Sequence, residues 1–262
     1  MHRFTWILLL FTHCVHVAGE ANCQDESSGV DSKQAEAAVS KDAEKNGAAK
    51  EENEEQSVKP GLNERFLDPE LDVSEWLGRF EIESREVYAA RKKVLQICDI
   101  KRGMDVADIG AGTGFYSRLF ASATGPTGKV FAVDIVPKFL EHIERQALED
   151  DIVNITTVFC TERSISLPPD SVDRAFICDT YHHFEYPQST LHSLLRALRP
   201  GGMLVVIDFE RIPGKSSEWT LGHVRAGKEV FRKEIEEAGF EFIEEVNVAE
   251  FKENYLLRFR RP

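Results

Sequence analysis

The chain has 262 residues and a formal net charge of −13, which allows one or two domains. With 42% hydrophobic residues it can bury a sizeable core. The acidic balance extends into the globular part of the chain, so we expect no nucleic-acid partner.

The first 21 residues have the pattern of a secretory signal peptide. A short positive segment ending at Arg3 precedes a mostly apolar run over residues 4–17, and small residues follow. Cleavage after Gly19 or Ala21 fits the small-x-small rule. The run is shorter and more interrupted than a membrane-spanning helix, which needs about 20 apolar residues. We therefore expect export to the periplasm or the medium without an integral membrane domain, or a membrane tether if the signal is uncleaved.

Residues 22–61 are predicted to form a disordered acidic linker. Ala, Glu, Lys, Ser and Asn dominate there, and residues 20–60 contain no aromatic side chain. Such a segment cannot bury enough surface to offset the entropy lost on ordering. The composition becomes globular after this segment, so we expect one domain over residues 62–262.

The first part of that domain, residues 62–103, is predicted to be a helical cap. Asp72 and Glu75 have the spacing of a capping box, and an apolar stripe that ends at Phe80 follows. Ser84 is expected to begin a second helix that continues to Cys98.

Strands and helices alternate beyond the cap. The predicted strands are Met104–Ile109, Lys129–Ile135, Ile155–Cys160, Val172–Asp179 and Met203–Phe209, and the helices between them are Phe115–Ala123, Pro137–Glu149 and Pro187–Leu198. Near-continuous apolar strands favour a parallel sheet that is covered on both faces. The chain then ends with a helix over Gly222–Ala238 and two alternating strands, Phe240–Val248 and Tyr255–Arg260, which predict a hairpin-like finish.

The most informative segment, residues 108–114, reads Asp-Ile-Gly-Ala-Gly-Thr-Gly. Its glycines, Gly110, Gly112 and Gly114, allow a ligand to approach the backbone, and Asp108 can pair with a ligand ammonium group. Dinucleotide folds have the different pattern G-x-G-x-x-G and no use for a negative charge beside the pyrophosphate. The alternative is a glycine-rich turn in which Asp108 caps the next helix.

Polar residues also follow the second and third strands. Asp134 can accept two hydrogen bonds from ribose hydroxyls, or it can cap the helix that begins at Pro137. Thr161 and Glu162 can meet the edge of an adenine ring, or they can be ordinary loop residues.

The fourth strand runs into Asp-Thr-Tyr-His-His-Phe at residues 179–184, at the sheet edge where α/β proteins bind ligands. An imidazole that titrates near neutral pH can act as a general base, so His182 and His183, with Tyr181 beside them, are candidate catalytic residues. Alternatively, one histidine packs over the ligand and the other makes a structural hydrogen bond. Because adjacent residues do not generally project to one point, we expect no metal site.

Taken together, these segments resemble the class I S-adenosylmethionine-dependent methyltransferases. The resemblance covers residues 104–210 and is carried by Val106–Gly114, Val130–Asp134, Asp173–Asp179 and Leu195–Val206, the last with Arg-Pro-Gly-Gly before a strand. It implies an α/β fold: a Rossmann-like, seven-stranded, mostly parallel sheet with an antiparallel carboxy-terminal strand and helices on both faces.

The resemblance also implies roles for the site residues, with S-adenosylmethionine as the cofactor. Asp108 and the loop Gly110-Ala111-Gly112-Thr113-Gly114 would hold the methionine part, and Asp179 would lie beside it. Asp134 would bind the ribose and Ile135 would contact the adenine. Glu162 would lie near the adenine amino group, with Thr161 just before it in an uncertain register.

The globular part is also similar to a group of exported bacterial proteins with methyltransferase domains of unknown substrate, through residues 79–86, 179–187, 208–213 and 223–228. The expected function is methyl transfer to a small-molecule acceptor. A non-catalytic protein that binds S-adenosylmethionine or S-adenosylhomocysteine, a protein methyltransferase and a nicotinamide-dependent reductase are the alternatives. Candidate residues for the acceptor pocket are Glu83, Tyr88, Tyr181, His182, His183, Glu210, Arg211, His223 and Arg225.

Overall fold

The computed structural model describes residues 54–82 and 85–262. The predicted signal peptide and most of the predicted linker lie outside the described residues, as do Glu83 and Ser84. The helices are α1 Val73–Phe80, α2 Glu86–Ala89, α3 Arg91–Cys98, α4 Phe115–Thr124, α5 Pro137–Glu149, α6 Pro187–Ala197, α7 Glu218–His223 and α8 Lys228–Glu237. The strands are β1 Val106–Ile109, β2 Val130–Asp134, β3 Ile155–Phe159, β4 Val172–Cys178, β5 Leu198–Phe209, β6 Glu241–Glu245 and β7 Asn254–Arg260.

The seven strands form one sheet in the order β3-β2-β1-β4-β5-β7-β6. Strands β1 to β5 are mutually parallel, and β7 is antiparallel to both β5 and β6. This confirms the predicted mostly parallel sheet with an antiparallel carboxy-terminal strand.

Helices cover both faces of this sheet, and the central strands supply a core on each side. In β5, Leu204 and Val206 pack into the core that contains residues of α6 and α8. Their neighbours Val205 and Ile207 pack into the core that contains residues of α3 and α4. Because successive side chains of a strand point to opposite faces, a continuous apolar run fills both cores, as predicted.

The predicted helix over residues 222–238 is two helices in the structure. Ser217 begins α7 by accepting a hydrogen bond from the Thr220 N–H at 3.1 Å. The backbone of Val224 is extended and its side chain is buried in the core, which ends α7 at His223. Gly227 is the N-cap of α8. The break matters for function because it places His223 at the tip of a short helix.

The helical cap also differs in detail from its prediction. Asp72 begins α1 as predicted, but its carboxylate accepts the N–H of Ser74 at 2.8 Å, and Glu75 pairs with Arg79 instead. The second predicted helix is divided at Ala90 into α2 and α3. None of the helices in the described ranges is long and apolar enough to span a membrane.

Residues 54–61, which the sequence assigned to the linker, pack against the domain and are called the strap below. The Glu55 carboxylate accepts the N–H groups of Gln188 and Ser189 at 2.8 and 2.7 Å. These donors belong to the first turn of α6, where residue 186 makes no side-chain cap. The Val58 N–H donates to the Glu185 carbonyl at 3.0 Å. In these contacts a carboxylate supplied from a distant segment satisfies N–H groups at a helix end.

Candidate active site

A cavity of about 590 Å³ opens at the carboxyl ends of the central strands. Strand β1 lies between β2 on one side and β4 on the other, so the connections that leave β1 and β4 diverge. Such a divergence opens a crevice beyond the strand ends in α/β sheets. The loops after β1, β2, β3 and β4 line the cavity, and the amino-terminal cap covers it.

The glycine loop after β1 is built for close backbone approach. Gly110 and Gly112 have φ angles of +68° and +54°, which glycine adopts without strain. A Cβ atom on Gly110 would lie 2.2 Å from the Cγ2 atom of Thr180. Gly114 has a different task, because it begins α4, and its Cβ would lie 2.6 Å from Ile143 in α5. Gly114 thus serves helix packing and does not line the cavity.

Asp108, at the end of β1, is a buried carboxyl at the floor of the cavity. The Ser117 hydroxyl donates a hydrogen bond to its Oδ2 atom at 2.6 Å. Burial raises the pKa of Asp108 to about 7, against the opposing effect of the Ser117 hydrogen bond, and the charge of Asp134 adds to the rise. A buried carboxylate whose charge is offset only by a hydroxyl hydrogen bond favours a cationic ligand.

Asp134 ties the glycine loop to β2. Its Oδ2 atom accepts the Gly112 N–H at 2.8 Å, and its Oδ1 atom accepts the Val136 N–H at 2.9 Å. Burial raises the pKa of Asp134 to about 6, although both hydrogen bonds oppose the rise. A carboxylate oxygen has two lone-pair positions, so each oxygen can still accept one ligand hydroxyl.

Asp179 follows β4 with a left-handed backbone, at φ +49°. The Arg85 guanidinium forms an ion pair with its carboxylate, and the Asn254 side-chain amide donates to its Oδ1 atom at 2.7 Å. Burial raises the pKa of Asp179 to about 6, and Arg85 opposes that rise. Arg85 also lines the cavity, which the sequence did not predict, because its partner lies 94 residues away.

The predicted adenine end is also part of the cavity. Glu162 is linked to the cap by the Asn63 side-chain amide, which lies 3.4 Å from its Oε1 atom and also donates to the His183 carbonyl at 3.2 Å. The predicted cofactor residues that line the cavity are Asp108, Gly110, Ala111, Gly112, Thr113, Asp134, Ile135, Thr161, Glu162 and Asp179.

Aromatic side chains form the roof of the cavity. Trp76 lies centrally, with ring centroids 4.8 Å from Phe66, 5.2 Å from Phe80 and 6.3 Å from Phe139. The sequence identified an apolar stripe in this cap but not its contact with the cavity.

Three histidines form a cluster, called the histidine cluster, at the other end of the cavity. The ring centroids of His182 and His183 are 4.3 Å apart, and His223 lies 4.9 Å from the first and 5.0 Å from the second. A 3-10 turn over Tyr181–His183 brings the adjacent rings together, contrary to the expectation that they would not converge. Sequence analysis named His223 as a lining candidate but did not associate it with the pair.

The electrostatics of the cluster favour the neutral form of His183 and His223. Burial lowers the pKa of His183 to about 2 and that of His223 to about 4, and the neighbouring His182 lowers both further. His182 is held differently, since its Nδ1 atom lies 2.7 Å from Oδ1 of the buried Asp208 at the end of β5. The Asp208 carboxylate also accepts the backbone N–H of His182 at 3.0 Å. Sequence analysis included Asp208 only as part of the similar segment 208–213 and gave it no role.

The structure does not bring Tyr181 to the cavity. Its ring is buried against Phe184 and Phe231, and its hydroxyl donates to Glu234 at 2.9 Å. Burial raises its pKa well above the usual range, which also makes it a poor proton donor. Four other candidates lie outside the cavity lining, and these are Tyr88, Glu210, Arg211 and Arg225.

The lining fits the S-adenosylmethionine that the sequence predicts. The cofactor carries a positive ammonium and a positive sulfonium, and three buried acids whose pKa values are raised line this cavity. The positive φ angles of Gly110 and Gly112 let the backbone of the glycine loop line the cavity. The carboxylate of the methionine part would find a partner in Arg85.

Comparison with known proteins agrees with this fit. Residues 107–206 match the family of proteins with a methyltransferase domain. The chain is 32% identical over 113 residues to the ubiquinone/menaquinone biosynthesis C-methyltransferase UbiE of Bordetella parapertussis and 30% identical over 125 residues to that of Ectopseudomonas mendocina. These matches cover 43% and 47% of this chain and 43% and 48% of the relatives, so the chain spans less than half the length of the curated relatives it matches.

Solved structures share the fold. A methyltransferase of Aquifex aeolicus that depends on S-adenosylmethionine superposes with a TM-score of 0.64 and 25% identity, over 73% of this chain and all of that one. The phosphoethanolamine N-methyltransferase 2 of Haemonchus contortus, in complex with S-adenosylmethionine, has a TM-score of 0.57 and 17% identity, over 73% of this chain and 60% of its own. Residues 107–206 therefore match a methyltransferase domain, and the chain shares the fold of methyltransferases that depend on S-adenosylmethionine.

Proposed function

We propose that this protein transfers a methyl group from S-adenosylmethionine to a small acceptor that contains an aromatic ring. The observation that carries the proposal is the division of one cavity into two chemically different ends. Buried acids and glycines form one part of the lining, called the cofactor end, and aromatic rings with the three imidazoles form the other part, called the acceptor end. The volume of about 590 Å³ lies within the range of small-molecule sites, about 300–1,000 Å³.

The proposed placement of the cofactor uses the cofactor end. Asp108 would pair with the ammonium, Arg85 with the carboxylate, and the two free lone pairs of Asp134 with the ribose hydroxyls. Thr161 and Glu162 would meet the adenine edge, with Ile135 against its face. When bound, S-adenosylmethionine supplies an electrophilic methyl group on a sulfonium whose departure leaves a neutral thioether.

The chain itself then has to align the acceptor and remove water. The roof of Phe66, Trp76 and Phe80 would exclude water from the reacting centre. The histidine cluster would meet the reacting end of the acceptor, because neutral imidazoles can accept its proton or hydrogen bond. His182 suits this task best, since Asp208 accepts the Nδ1 proton and leaves the lone pair on Nε2.

The aromatic class of acceptor rests on two supports. The acceptor end of the cavity is lined by Phe66, Phe209 and Trp219, flat apolar rings that stack against other rings. The UbiE proteins that resemble the central part of this chain are named for methylation in quinone biosynthesis. The amino-terminal cap lies outside the family match of residues 107–206, so the match does not specify the acceptor of this chain.

A methyl-transfer assay with binding measured in parallel tests the proposal. The full chain would be incubated with labelled S-adenosylmethionine and 4-hydroxybenzoate, 1,4-dihydroxy-2-naphthoate, catechol or casein, with binding of S-adenosylhomocysteine measured by calorimetry. We expect binding and transfer to at least one ring compound. Binding of S-adenosylhomocysteine without any transfer would favour the non-catalytic alternative. Transfer to casein alone would favour a protein methyltransferase. Binding of NADH alone would overturn the proposal. Asp108→Ala is the control that loses binding.

Export of the protein is a second, independent part of the proposal. It rests on the signal-like pattern of residues 1–21, which lie outside the described residues. Fractionation of cells that express the full chain, with sequencing of the mature amino terminus, tests it. Recovery in the cytosol with Met1 and its neighbours intact would contradict it.

A further inference from the structure

We propose that His182, His183 and His223 bind a divalent transition-metal ion, of the class represented by Zn²⁺, at the acceptor end of the cavity. The three side chains offer one ligand nitrogen each within 4.8 Å of one another. They come from two separate elements, the turn after β4 and the end of α7. Binding of the ion is inferred from side-chain geometry alone, whereas its role at the acceptor rests on the proposed function.

The spacing of the rings suits coordination by three imidazoles. Metal–nitrogen bonds of about 2.1 Å place the centroids of the rings about 4.6 Å apart at octahedral angles and about 5.3 Å apart at tetrahedral angles. The observed separations are 4.3, 4.9 and 5.0 Å. In a bound site the ligand nitrogens would lie about 3–3.4 Å apart, so loading needs the three rings to draw closer than the 4.8 Å within which their nitrogens now lie.

Asp208 prepares His182 as a ligand. A carboxylate at 2.7 Å from Nδ1 accepts the proton of that nitrogen, which leaves the lone pair on Nε2. A metal-bound histidine commonly donates its other N–H to a carboxylate, which sets the tautomer and orients the ring. Asp208 is fully buried and also accepts two backbone N–H groups, from His182 and Phe209, so its position is well determined.

His183 offers a nitrogen that the protein does not use. Its Nδ1 atom is buried and has no hydrogen-bond partner among the residues that the structure describes. Buried polar atoms are almost always paired, and an unpaired one points to a missing ligand. The same cavity contains His182 and His223, so the ion would face the space beside the predicted methyl donor.

A site formed by three imidazole ligands, with the other coordination positions of the metal left open, defines the class of metal. Imidazole suits Zn²⁺, Fe²⁺, Cu²⁺ and Ni²⁺, whereas Mg²⁺ and Ca²⁺ prefer oxygen ligands. A site with three protein ligands keeps a position for a water molecule or a substrate atom. At that position the ion would bind a hydroxyl oxygen of the acceptor and lower its pKa. The bound ion would then take the place of the base role proposed above for His182, which would serve as a ligand.

Titration of the metal-free full chain with Co²⁺, followed by visible absorption, tests the binding directly. We expect one saturable site whose absorption bands disappear when Zn²⁺ is added. His223→Ala should weaken binding at least about 100-fold, and Asp208→Asn should weaken it about 10–100-fold, as expected for the group that orients a ligand.

Three controls separate the site from other histidines and from local damage. His192→Ala removes an exposed histidine of α6, and the double substitution His13→Ala/His16→Ala removes two from the amino-terminal segment; neither should change binding. Trp219→Ala removes the ring stacked on His223 without removing a ligand, and it should retain the Co²⁺ site.

Three outcomes would contradict the metal site. Absence of a saturable Co²⁺ site in the wild-type chain, equal affinity in His223→Ala, or loss of binding in the His13→Ala/His16→Ala variant would overturn the proposal. If His223→Ala does not fold, His183→Gln tests the same ligand set, and unchanged affinity there is equally contrary. Binding of S-adenosylhomocysteine is measured on every variant. Loss of that binding would count against the proposed function and not against the metal site.

Discussion

The two ends of the cavity are assembled in different ways. Residues 108–114 and Asp134 form the cofactor end, and hydrogen bonds between backbone N–H groups and carboxylates help to hold them together, such as that from the Gly112 N–H to the Asp134 side chain. The acceptor end unites the turn after β4, Asp208 at the end of β5 and His223 at the end of α7, under a cap from residues 62–80. The comparison shows that the methyl donor is encoded in a local motif, whereas the acceptor site depends on contacts between distant segments.

The largest expected effect comes from closing the cofactor end. Gly110→Ala places a Cβ atom 2.2 Å from Thr180 at a φ angle of +68°. We expect the free energy of unfolding to fall by about 2–5 kcal/mol, through left-handed backbone strain and overpacking, and S-adenosylhomocysteine binding to fall with it. Thermal denaturation and calorimetry are the measurements.

Gly201→Ala is the matched control. Gly201 has a φ angle of +76°, but a Cβ atom there would meet nothing within 4 Å. It should therefore lose only the backbone term, about 1–2 kcal/mol, and keep its affinity for S-adenosylhomocysteine. Equal losses in the two variants would show that the glycine loop is not tightly packed at the cavity.

The second prediction concerns the pH dependence of cofactor binding. Burial raises the pKa of Asp108 to about 7, and the carboxyl must be ionised to pair with an ammonium. The affinity for S-adenosylhomocysteine should therefore fall by up to about tenfold for each pH unit below 7, with uptake of a proton when the ligand leaves. Calorimetry in buffers of different ionisation enthalpy, from pH 6 to 8.5, measures both.

The stability of the ligand-free protein should follow the opposite direction. The pKa of Asp108 is higher in the folded protein than the value of about 3.9 in an unfolded chain, so its folded form binds more protons. Its contribution is fully present below about pH 4 and is lost as the pH rises through 7. Asp108→Asn should remove the part of both profiles near pH 7 and leave the slope below it that Asp134 and Asp179 cause, because their pKa values are about 6. A wild-type slope near pH 7 that persists in this variant would assign the effect to another group.

The success of the sequence predictions follows the same division. The alternating strands, the glycine loop and Asp134 could be predicted because each depends on neighbours in the chain or on a repeated pattern. Arg85 beside Asp179 could not, because the pair joins segments 94 residues apart. The convergence of His223 with His182 depends on the break after α7, which Val224 causes by packing its side chain into the core. Charge and periodicity do not encode such a break.

The third prediction addresses the acceptor end alone. Trp219 lines the cavity, is 55% exposed, and stacks on His223 at a centroid distance of 4.6 Å. Trp219→Ala should raise the KM of a ring acceptor up to about tenfold through lost stacking, with an unchanged Kd for S-adenosylhomocysteine. Phe159→Ala, at an aromatic residue of β3 that is 61% exposed and outside the cavity lining, is the control. A change in cofactor affinity alone would contradict the division of the cavity.

The smallest expected effect tests whether the strap belongs to the folded domain. Glu55 accepts two N–H groups of α6, so Glu55→Ala should lower the free energy of unfolding by about 1–2 kcal/mol. A loss of 1 kcal/mol corresponds to about 2–4 °C in the melting temperature of a domain of this size. Neighbouring Glu54 makes only an exposed ion pair with Arg163 at 3.4 Å, so Glu54→Ala should change stability by less than about 0.5 kcal/mol.

Equal melting temperatures for these two variants would show that residues 54–61 belong to the linker and not to the folded domain. A selective loss in Glu55→Ala would show instead that a carboxylate from outside the predicted domain completes the amino-terminal end of α6. That end lies just after the histidine turn, so the strap would support the acceptor end through the Val58–Glu185 contact. The cofactor end is built from residues 108–114 and Asp134 and does not include the strap. Both variants should therefore keep their affinity for S-adenosylhomocysteine.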